Sequence, residues 1–272
     1  MTQKRILLID ADGDIYAEAC QAQFNVDGKP MQSKSEEDCM RSLTGLWEKY
    51  MDICDADGAI LFLTDDGGRN WRKKILPTYK GNRSASDRPI LLSRLRQLSQ
   101  DQSVSGFVSR RVRNLEADDL CGIASTSMRR EGRVTPIIVS QDKDMKTIPG
   151  LLWNPRPTAL GQKREIECIT DEDAFRNHQL QVLMGDSTDN YPGCPGIGPK
   201  RAITFINSCA GLEQRDVWEG VEGRFIEKGL TKEDALLQAR VSYILQEKDW
   251  DKNTGKVRLW HPDTHLRRSE DE

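Results

Sequence analysis

The sequence predicts an α/β fold in which a doubly wound, mostly parallel sheet is followed by a helical C-terminal module. Three continuous apolar segments, at residues 5–9, 58–63 and 135–140, are typical of parallel strands that are buried on both faces. Segments with helical periodicity lie between them, and this alternation predicts helices on both faces of one sheet. In such a fold the ligand crevice lies at the carboxyl ends of the strands. Aspartates follow all three segments, so the crevice should be acidic.

The helices are predicted from the spacing of apolar residues. Cys39, Leu43, Leu46, Trp47 and Tyr50 recur at helical spacing, which predicts a crossover helix over residues 36–53 and hence a βαβ unit. A short amphipathic helix is predicted over 91–98, a short strand after Phe107 and Val108, and a helix with an acidic first turn over 116–128. The strand at 135–140 then completes the alternating series.

Length and composition favour a globular chain that folds alone. The chain has 272 residues, of which 37% are hydrophobic, enough for one large domain or for a domain with an appended module. No apolar segment approaches the length of a membrane span and the N-terminus lacks a signal-peptide pattern, so we expect a cytoplasmic monomer. The seven cysteines are scattered without a CxxC pair, which predicts reduced thiols and neither a disulfide framework nor a zinc site.

Charge is distributed unevenly along the chain. The net charge of −3 alone would not indicate a nucleic-acid partner. Basic residues nevertheless cluster near positions 69–83, 110–113 and 129–133, whereas acids occur in short pairs at the ends of apolar segments. A basic track beside an acidic crevice is one interpretation, and ordinary solvated surfaces are the other.

Nine carboxylates stand at strand ends or at helix starts. They are Asp10, Asp65, Glu116, Asp118, Asp119, Asp142, Asp144, Asp186 and Asp189. Neighbouring carboxylates repel one another unless cations balance their charge. Oxygen ligands without His or Cys favour Mg²⁺ or Mn²⁺, and two such ions about 3.5 to 4 Å apart are a common device for hydrolysing phosphodiesters. Taken singly, each aspartate is also a common helix cap.

The segment 183–202 joins two kinds of chemistry. It reads LMGDSTDNYPGCPGIGPKRA, and the spacing of Asp186 and Asp189 predicts that both lie on one face of a helical turn, where they could share a cation. The Gly- and Pro-rich part predicts a loop whose N–H groups, with Lys200 at the start of a helix, face a phosphate. An ordinary surface turn is the alternative.

Five motifs occur in an order that resembles a known family. They are LLIDADGDIYAEA, TDDGGRNWRKKILPTYKGNR, LEADDLCGIAS, SQDKDMKTIPG and MGDSTDNYPGCPGIGPKRA. The series resembles the metal-dependent 5′-nucleases, which include flap endonucleases and the 5′-nuclease domain of bacterial DNA polymerase I. With QARVSYILQEKDWD and VRLWHP, residues 5–262 are most similar to the 5′ to 3′ exonucleases of short-tailed bacteriophages.

The resemblance implies a PIN-like nuclease domain at residues 1–185 and a duplex-binding helix-three-turn-helix module at 186–272. It also implies two Mg²⁺ or Mn²⁺ ions, with Asp10, Asp65 and the LEADD acids on one side of the metal centre and the DKD and GDSTD acids on the other. Within the first two motifs, Asp12, Asp14 and Asp66 remain alternative sources of a ligand oxygen.

Residue roles beyond the metal centre are implied by the same resemblance. Lys80 and Arg83 match the basic residues that touch the scissile phosphate, and Tyr79 either stacks on an end nucleotide or belongs to the core. The duplex backbone and a K⁺ ion would be held at the hairpin. The implied DNA-binding residues are Arg72, Lys73, Gly193, Gly196, Gly198, Lys200 and Arg201.

The implied function is 5′ to 3′ exonuclease or structure-specific flap endonuclease action without sequence specificity, in phage DNA replication or recombination. The expected partners are duplexes with 5′ ends, nicks or flaps, and RNA:DNA hybrids. Residues 84–112, which match the family's clamp for a threaded 5′ end, are short here. Two alternatives remain: a haloacid-dehalogenase-type phosphatase, suggested by the IDADGD segment, and a DNA-binding relative without catalysis.

Overall fold

The computed structural model describes residues 3–65, 69–83, 88–159 and 161–266. In chain order, the strands are β1 Lys4–Asp10, β2 Gln23–Val26, β3 Lys29–Gln32, β4 Gly58–Phe62, β5 Val108–Arg110, β6 Val134–Val139, β7 Gly150–Trp153, β8 Glu167–Ile169, β9 Trp250–Asp251 and β10 Lys256–Val257. Asp66, part of the predicted clamp and the C-terminal end lie outside the described residues.

Helices of varied length cover the sheet and form the C-terminal part. They are α1 Ala11–Gln21, α2 Glu36–Cys54, α3 Trp71–Ile75, α4 Leu92–Gln100, α5 Gln102–Ser105, α6 Ala117–Glu131, α7 Asp171–Met184, α8 Pro199–Ser208, α9 Gln214–Ile226, α10 Lys232–Ser242 and α11 Pro262–His265, with 3₁₀ turns at Lys143–Thr147 and Glu247–Asp249. No helix in the described ranges is long and apolar enough to cross a bilayer.

The central sheet has the strand order β5-β4-β1-β6-β7-β8 across the described ranges. In this order, each neighbouring pair from β5 through β4, β1 and β6 to β7 is parallel. Strand β8, at the edge, is antiparallel to β7. The predicted fold class, a doubly wound and mostly parallel sheet, is therefore confirmed. Strands β7 and β8 and the β2–β3 ribbon were not predicted, because each is short and lacks a long apolar run.

Strand β1 shows why helices cover both faces. Leu8 belongs to one hydrophobic core and Leu7 and Ile9 belong to the other, and all three are fully buried. Successive side chains of a strand point to opposite faces, so a continuous apolar strand requires cover on both sides. Helix α2 provides part of this cover with Leu43 and Trp47, as its predicted spacing indicated.

The C-terminal helices pack on the same core as one face of the sheet. Leu8 of β1 shares a continuous cluster with Val182 of α7, Trp218 and Phe225 of α9, and Ala239 of α10. Helix α8 begins at Pro199 after Gly198, which agrees with the helix predicted at Lys200. The division of the chain at residue 185 stays a prediction.

Candidate active site

Seven carboxylates from four parts of the chain form what we call the acidic edge, at the carboxyl ends of β1 and β6. They are Asp10, Glu116, Asp118, Asp142, Asp144, Asp186 and Asp189. Strand β1 ends at Asp10, Glu116 precedes α6, and Asp142 begins the turn after β6. Parallel neighbours end at the same side of a sheet, so β1 and β6 bring their carboxylates together.

Mutual repulsion shows which carboxylates face one another. Burial and the negative charge of Asp12, Asp142 and Asp14 raise the pKa of Asp10 to about 7. Burial, with Asp142, Asp186 and Asp189, raises the pKa of Asp144 to about 7 as well. The acidic edge therefore combines the end of β1, the turn after β6 and the segment after α7 in one field of excess negative charge.

Asp144 has an oxygen without a partner. Its N–H donates to Oδ1 of Asp142 at 2.9 Å, which fixes the start of the 3₁₀ turn. Oδ1 of Asp144 itself is buried and accepts no hydrogen bond from any described residue. A buried carboxylate oxygen left unpaired is costly, and a bound cation would satisfy it.

Asp186 and Asp189 lie on a tight turn rather than on a helix, so the predicted helical turn is wrong. Helix α7 ends at Met184, and Asp186 pairs with Tyr191 through two backbone hydrogen bonds of 2.9 and 3.1 Å. Oδ1 of Asp186 accepts the N–H groups of Thr188 and Asp189 across this turn. Both carboxylates nevertheless remain on the acidic edge.

Lys80 joins the two sides of the acidic edge. Its ammonium donates to Oε1 of Glu116 and lies 3.5 Å from Oδ2 of Asp189. Although burial opposes ionisation, Lys80 and Arg72 lower the pKa of Glu116 to about 2. Arg83, which is half exposed, contacts the other Asp189 oxygen at 2.8 Å. The two predicted catalytic cations thus stand at the rim of the acidic edge.

Tyr79 belongs to the core, which is one of its two predicted roles and contradicts the other, stacking on an end nucleotide. The side chain is 1% exposed. Its hydroxyl lies 3.0 Å from Oε2 of Glu116 and 2.8 Å from Oδ2 of Asp189, and it bridges the two carboxylates. Tyr79 therefore positions Glu116 and Asp189 from below.

Arg72 and Asp119 form a buried pair beneath the acidic edge, so Arg72 was wrongly predicted to bind DNA. Arg72 is 2% exposed and donates to both oxygens of Asp119, to Glu116, and to the carbonyls of Val241 and Tyr243. Buried guanidinium groups require such complete pairing. Lys73, the next residue, is exposed and stays a candidate for DNA contact.

Asp119 was predicted as a metal ligand, and its contacts contradict this. The carboxylate is fully buried. Besides Arg72, its oxygens accept the indole N–H of Trp71 at 2.8 Å and the N–H of Leu245 at 3.2 Å. Because these donors surround both oxygens, Asp119 holds Arg72 in place. The side chain of Asp118, one residue earlier, is 24% exposed. Its partial burial and the neighbouring charges of Asp119 and Glu116 raise its pKa well above the usual value, although Arg72 opposes this shift.

Asp12 and Asp14, the alternative sources of a ligand oxygen in the first motif, lie in different surroundings. Asp14 is buried, and its carboxylate accepts hydrogen bonds from Trp47 and Tyr50. Asp12 accepts the N–H of Thr64 at 3.0 Å and therefore joins α1 to the end of β4. Asp65 accepts the N–H of Asn114 and lies 3.6 Å from Arg69 and Arg111, so its role as an ion ligand stays a prediction.

The glycines of the hairpin have two different roles. Gly193 is buried with φ +65°, packs against the backbone of Gly185 and donates its N–H to Gln238 at 2.9 Å. A direct phosphate contact by Gly193 is therefore wrong. Gly196 and Gly198 are exposed, and no described residue accepts a hydrogen bond from either N–H group.

Two cations follow Gly198 at the first turn of α8. Lys200 and Arg201 are exposed, and Arg201 donates to the carbonyl of Gly196 at 2.8 Å. A helix N-terminus with free N–H groups and adjacent cations is suited to a phosphate. DNA binding by these four residues stays a prediction that this geometry favours.

Sequence reasoning missed two further residues of the site. Ser140 donates to Oδ2 of Asp10 at 3.1 Å and accepts the N–H of Asp142, so it links β1 to the turn after β6. Lys143 lies 3.3 Å from Oδ2 of Asp186. Both residues fall within the quoted SQDKD motif, which therefore contained the signal.

The donor set fits divalent cations that prefer oxygen. As the side chains stand, no three His, Cys, Asp or Glu side chains of the described ranges surround a common point closely enough to hold a metal ion. Lys80, Arg83 and Lys143 instead pair with Glu116, Asp189 and Asp186. Oδ1 of Asp144 stays without a hydrogen-bond partner among the described residues, and burial with neighbouring acids raises the pKa of Asp10 and Asp144. Carboxylate oxygens suit Mg²⁺ or Mn²⁺.

The mixed α/β fold with a parallel central sheet is resolvase-like. A family model described as "5′-3′ exonuclease, N-terminal resolvase-like domain" matches residues 5–176. The chain belongs to this 5′-3′ exonuclease family.

Individual relatives agree with this assignment. The chain is 29% identical over 234 residues to the "Exonuclease" of Escherichia phage T7, covering 75% of each chain. It is 26% identical over 227 residues to a "5′-3′ exonuclease" of Buchnera aphidicola subsp. Acyrthosiphon pisum, covering 79% of this chain and 74% of the relative. A solved bacteriophage T5 flap endonuclease variant, in a pseudo-enzyme-product complex with DNA and metal ions, superimposes with a TM-score of 0.63 at 16% identity, covering 88% of this chain and 89% of that one.

Proposed function

We propose that this chain hydrolyses DNA phosphodiester bonds at 5′ ends, nicks and flaps, and that two divalent cations, Mg²⁺ or Mn²⁺, bind at the acidic edge. The observation that carries the proposal is the negative charge gathered in a buried place there: burial, and after it the neighbouring carboxylates, raise the pKa of both Asp10 and Asp144 to about 7. Such charge is unfavourable in the ion-free protein and favourable once cations bind. Family membership supports the same reaction.

The residues divide into two sets of ion ligands. Asp10, Glu116 and Asp118 belong to the sheet side, and Asp142, Asp144, Asp186 and Asp189 belong to the side formed by the turn after β6 and the segment after α7. When bound, divalent ions supply the positive charge that activates a water molecule and stabilises the leaving 3′ oxygen. Tyr79, Arg72 and Ser140 hold these carboxylates in place through the hydrogen bonds described above.

Lys80 and Arg83 act on the phosphate in this proposal. Both extend from the loop after α3 to the rim of the acidic edge, where a scissile phosphate beside the ions would lie. Preorganised cations offset the charge that develops on phosphate oxygens in the transition state. Lys80 is 18% exposed and pairs with Glu116 and Asp189, whereas Arg83 is 52% exposed and pairs with Asp189 alone among the described residues.

The hairpin grips the duplex. The free N–H groups of Gly196 and Gly198, with Lys200 and Arg201, form a phosphate site at the start of α8. Contacts of this kind read the backbone and not the base sequence, so cleavage is independent of sequence. A K⁺ ion on carbonyl groups of this hairpin is part of the same proposal. The DNA in the bacteriophage T5 complex supports a DNA substrate, and similarity to the exonuclease of phage T7 supports exonuclease action. A duplex substrate and a role in phage DNA replication or recombination are part of the same proposal.

Product analysis on DNA of defined structure tests the function. Duplexes labelled at the 5′ end, with blunt, nicked or flapped ends, are incubated in Mg²⁺ and in EDTA, and a covalently closed circle serves as the control without ends. Mononucleotides indicate exonuclease action and longer fragments indicate flap cleavage, both only in Mg²⁺. Matched RNA:DNA hybrids test the wider substrate range.

Two outcomes of this assay would contradict the proposal. Release of inorganic phosphate without chain cleavage would favour a phosphatase. Binding of every duplex without any product would favour a relative that has lost catalysis.

A further inference from the structure

Lys143 lies between two proposed ion ligands and contacts a third. It separates Asp142 from Asp144 at the start of the 3₁₀ turn, and its Nζ lies 3.3 Å from Oδ2 of Asp186. The Lys143 side chain is 69% exposed, whereas that of Asp186 is 14% exposed. A flexible ammonium group therefore covers a mostly buried carboxylate from the solvent side.

The neighbouring Asp144 shows that this side of the acidic edge needs positive charge. Oδ1 of Asp144 is buried without a hydrogen-bond partner among the described residues. Lys143 stands between Asp142 and Asp144 in the chain, and its ammonium contacts Asp186. Lys143 therefore partly supplies, in the ion-free protein, the charge that a divalent ion would supply.

We propose that Lys143 is a resident counter-cation that sets the affinity of the Asp144 and Asp186 side of the acidic edge for its divalent ion. This inference rests on the proposed function, because it requires an ion at this place. An ion that binds Asp186 must displace the Lys143 ammonium. Because the Lys143 ammonium is exposed to solvent, its ion pair with Asp186 is weak, and the ammonium lowers ion affinity by only about two- to fivefold. Lys143 is thus a positioning residue that tunes affinity without blocking the site.

Lys80 does not share this role. It is 18% exposed and contacts both Glu116 and Asp189, so it is held in place more firmly than Lys143. Lys146, on the same turn as Lys143, is the matched control. Its Nζ lies 2.6 Å from Glu167, which is not part of the acidic edge. The variants Lys143→Ala and Lys146→Ala change the net charge equally and differ in whether the lost ammonium faces the proposed ion.

Calorimetric titration of Mn²⁺ into the full chain without DNA tests the inference. We expect Lys143→Ala to bind Mn²⁺ about two- to fivefold more tightly than the wild type, and Lys146→Ala to match the wild type. Lys143→Arg keeps the cation and should restore the wild-type affinity. The difference between wild type and Lys143→Ala should shrink when ionic strength approaches about 1 M, where screening acts over about 3 Å.

The outcomes separate this inference from the proposed function. Equal Mn²⁺ affinity in the wild type and Lys143→Ala, or an equal gain in Lys146→Ala, would overturn the role of Lys143 and leave the ion sites intact. A wild type that binds no Mn²⁺ would overturn the proposed function and this inference with it.

Discussion

Arg72 donates two parallel hydrogen bonds of 2.9 Å to the two carboxylate oxygens of Asp119. Both residues are buried, and the same guanidinium group also binds the carbonyls of Val241 and Tyr243 at the end of α10. Since Arg72 further contacts Glu116, one side chain joins the acidic edge to the C-terminal helices. The geometry of the candidate site therefore depends on packing between the sheet and α10.

We expect Arg72→Ala to destabilise the chain by about 3 to 5 kcal/mol, because it leaves Asp119 buried without its counter-charge and removes a hydrogen bond from Glu116. Urea unfolding followed by circular dichroism measures the change. Lys73→Ala is the matched control: the Lys73 side chain is exposed and forms no such contacts with the described residues, so its loss should leave the unfolding midpoint nearly unchanged. Equal effects of the two variants would show that the buried network contributes little.

The position of Asp10 could be predicted from the sequence, whereas the burial of Arg72 could not. Asp10 follows an apolar run, and the rule that parallel strands end at one edge places it in the crevice without long-range information. The partners of Arg72 at Val241 and Tyr243 lie 169 and 171 residues away, so its burial depends on tertiary packing. The sequence alone shows a cluster of basic residues and does not show that Lys73 is exposed whereas Arg72 is buried.

The hairpin shows the same limit at short range. The glycine pattern correctly predicted a loop followed by a helix. It did not show that Gly193 is required for close contact with Gly185, since that contact depends on how the hairpin folds back on α7. The three-residue spacing of Asp186 and Asp189 is compatible with a helix and with a tight turn, and Gly185, at φ +65°, ends α7 before both residues.

The stability of the ion-free chain should fall as pH rises from 6 to 8. Burial and neighbouring acids raise the folded-state pKa of Asp10 and Asp144 from 3.8 to about 7, so in this window the folded state binds more protons than the unfolded state. The pKa of Glu116, lowered from 4.5 to about 2, affects stability only at more acidic pH. Thermal unfolding in EDTA at both pH values, repeated with Mn²⁺, measures the effect.

Mn²⁺ should raise the melting temperature more at pH 8 than at pH 6, because protons compete with the ion for the same carboxylates. The variant Asp10→Asn should weaken the pH dependence seen in EDTA. A melting temperature in EDTA that rises between pH 6 and pH 8 would contradict the repulsion assigned to the acidic edge.

Lys80 should contribute to the rate of cleavage, and Lys200 should contribute to duplex binding. Lys80→Ala should lower the single-turnover rate by about 10² to 10³-fold, because a fixed cation beside the reacting phosphate is lost. Lys200→Ala should instead weaken duplex binding and reduce its salt dependence, as expected for a contact to the DNA backbone. Single-turnover cleavage and binding isotherms at several salt concentrations separate the two. If Lys80→Ala reduced affinity alone, its transition-state role would be wrong.

Gly198 and Gly193 should respond differently to substitution. A Cβ at Gly198 meets open space and its φ of −87° is ordinary, so Gly198→Val should fold and still bind Mn²⁺. It should impair cleavage of duplexes far more than that of short single strands, because the side chain blocks approach of a phosphate to the N–H groups.

Gly193→Ala should instead destabilise the fold, since its Cβ would overlap the backbone of Gly185 and its φ is +65°. Paired cleavage assays and thermal unfolding distinguish the two variants. Equal loss of cleavage on duplex and single strands in Gly198→Val, with Mn²⁺ binding retained, would show that the loop does not grip the duplex.

The single-turnover cleavage rate of Asp144→Asn and Asp186→Asn on a flapped duplex at saturating Mg²⁺ tests the role of the acidic edge most directly. Each variant removes one ligand charge while keeping the shape of the side chain, and Asp52→Asn, on the exposed surface of α2, is the control. We expect both site variants to lose cleavage and to retain DNA binding in Ca²⁺, and the control to cleave like the wild type. Near-normal cleavage by both site variants would contradict the assignment of the acidic edge as the catalytic metal centre.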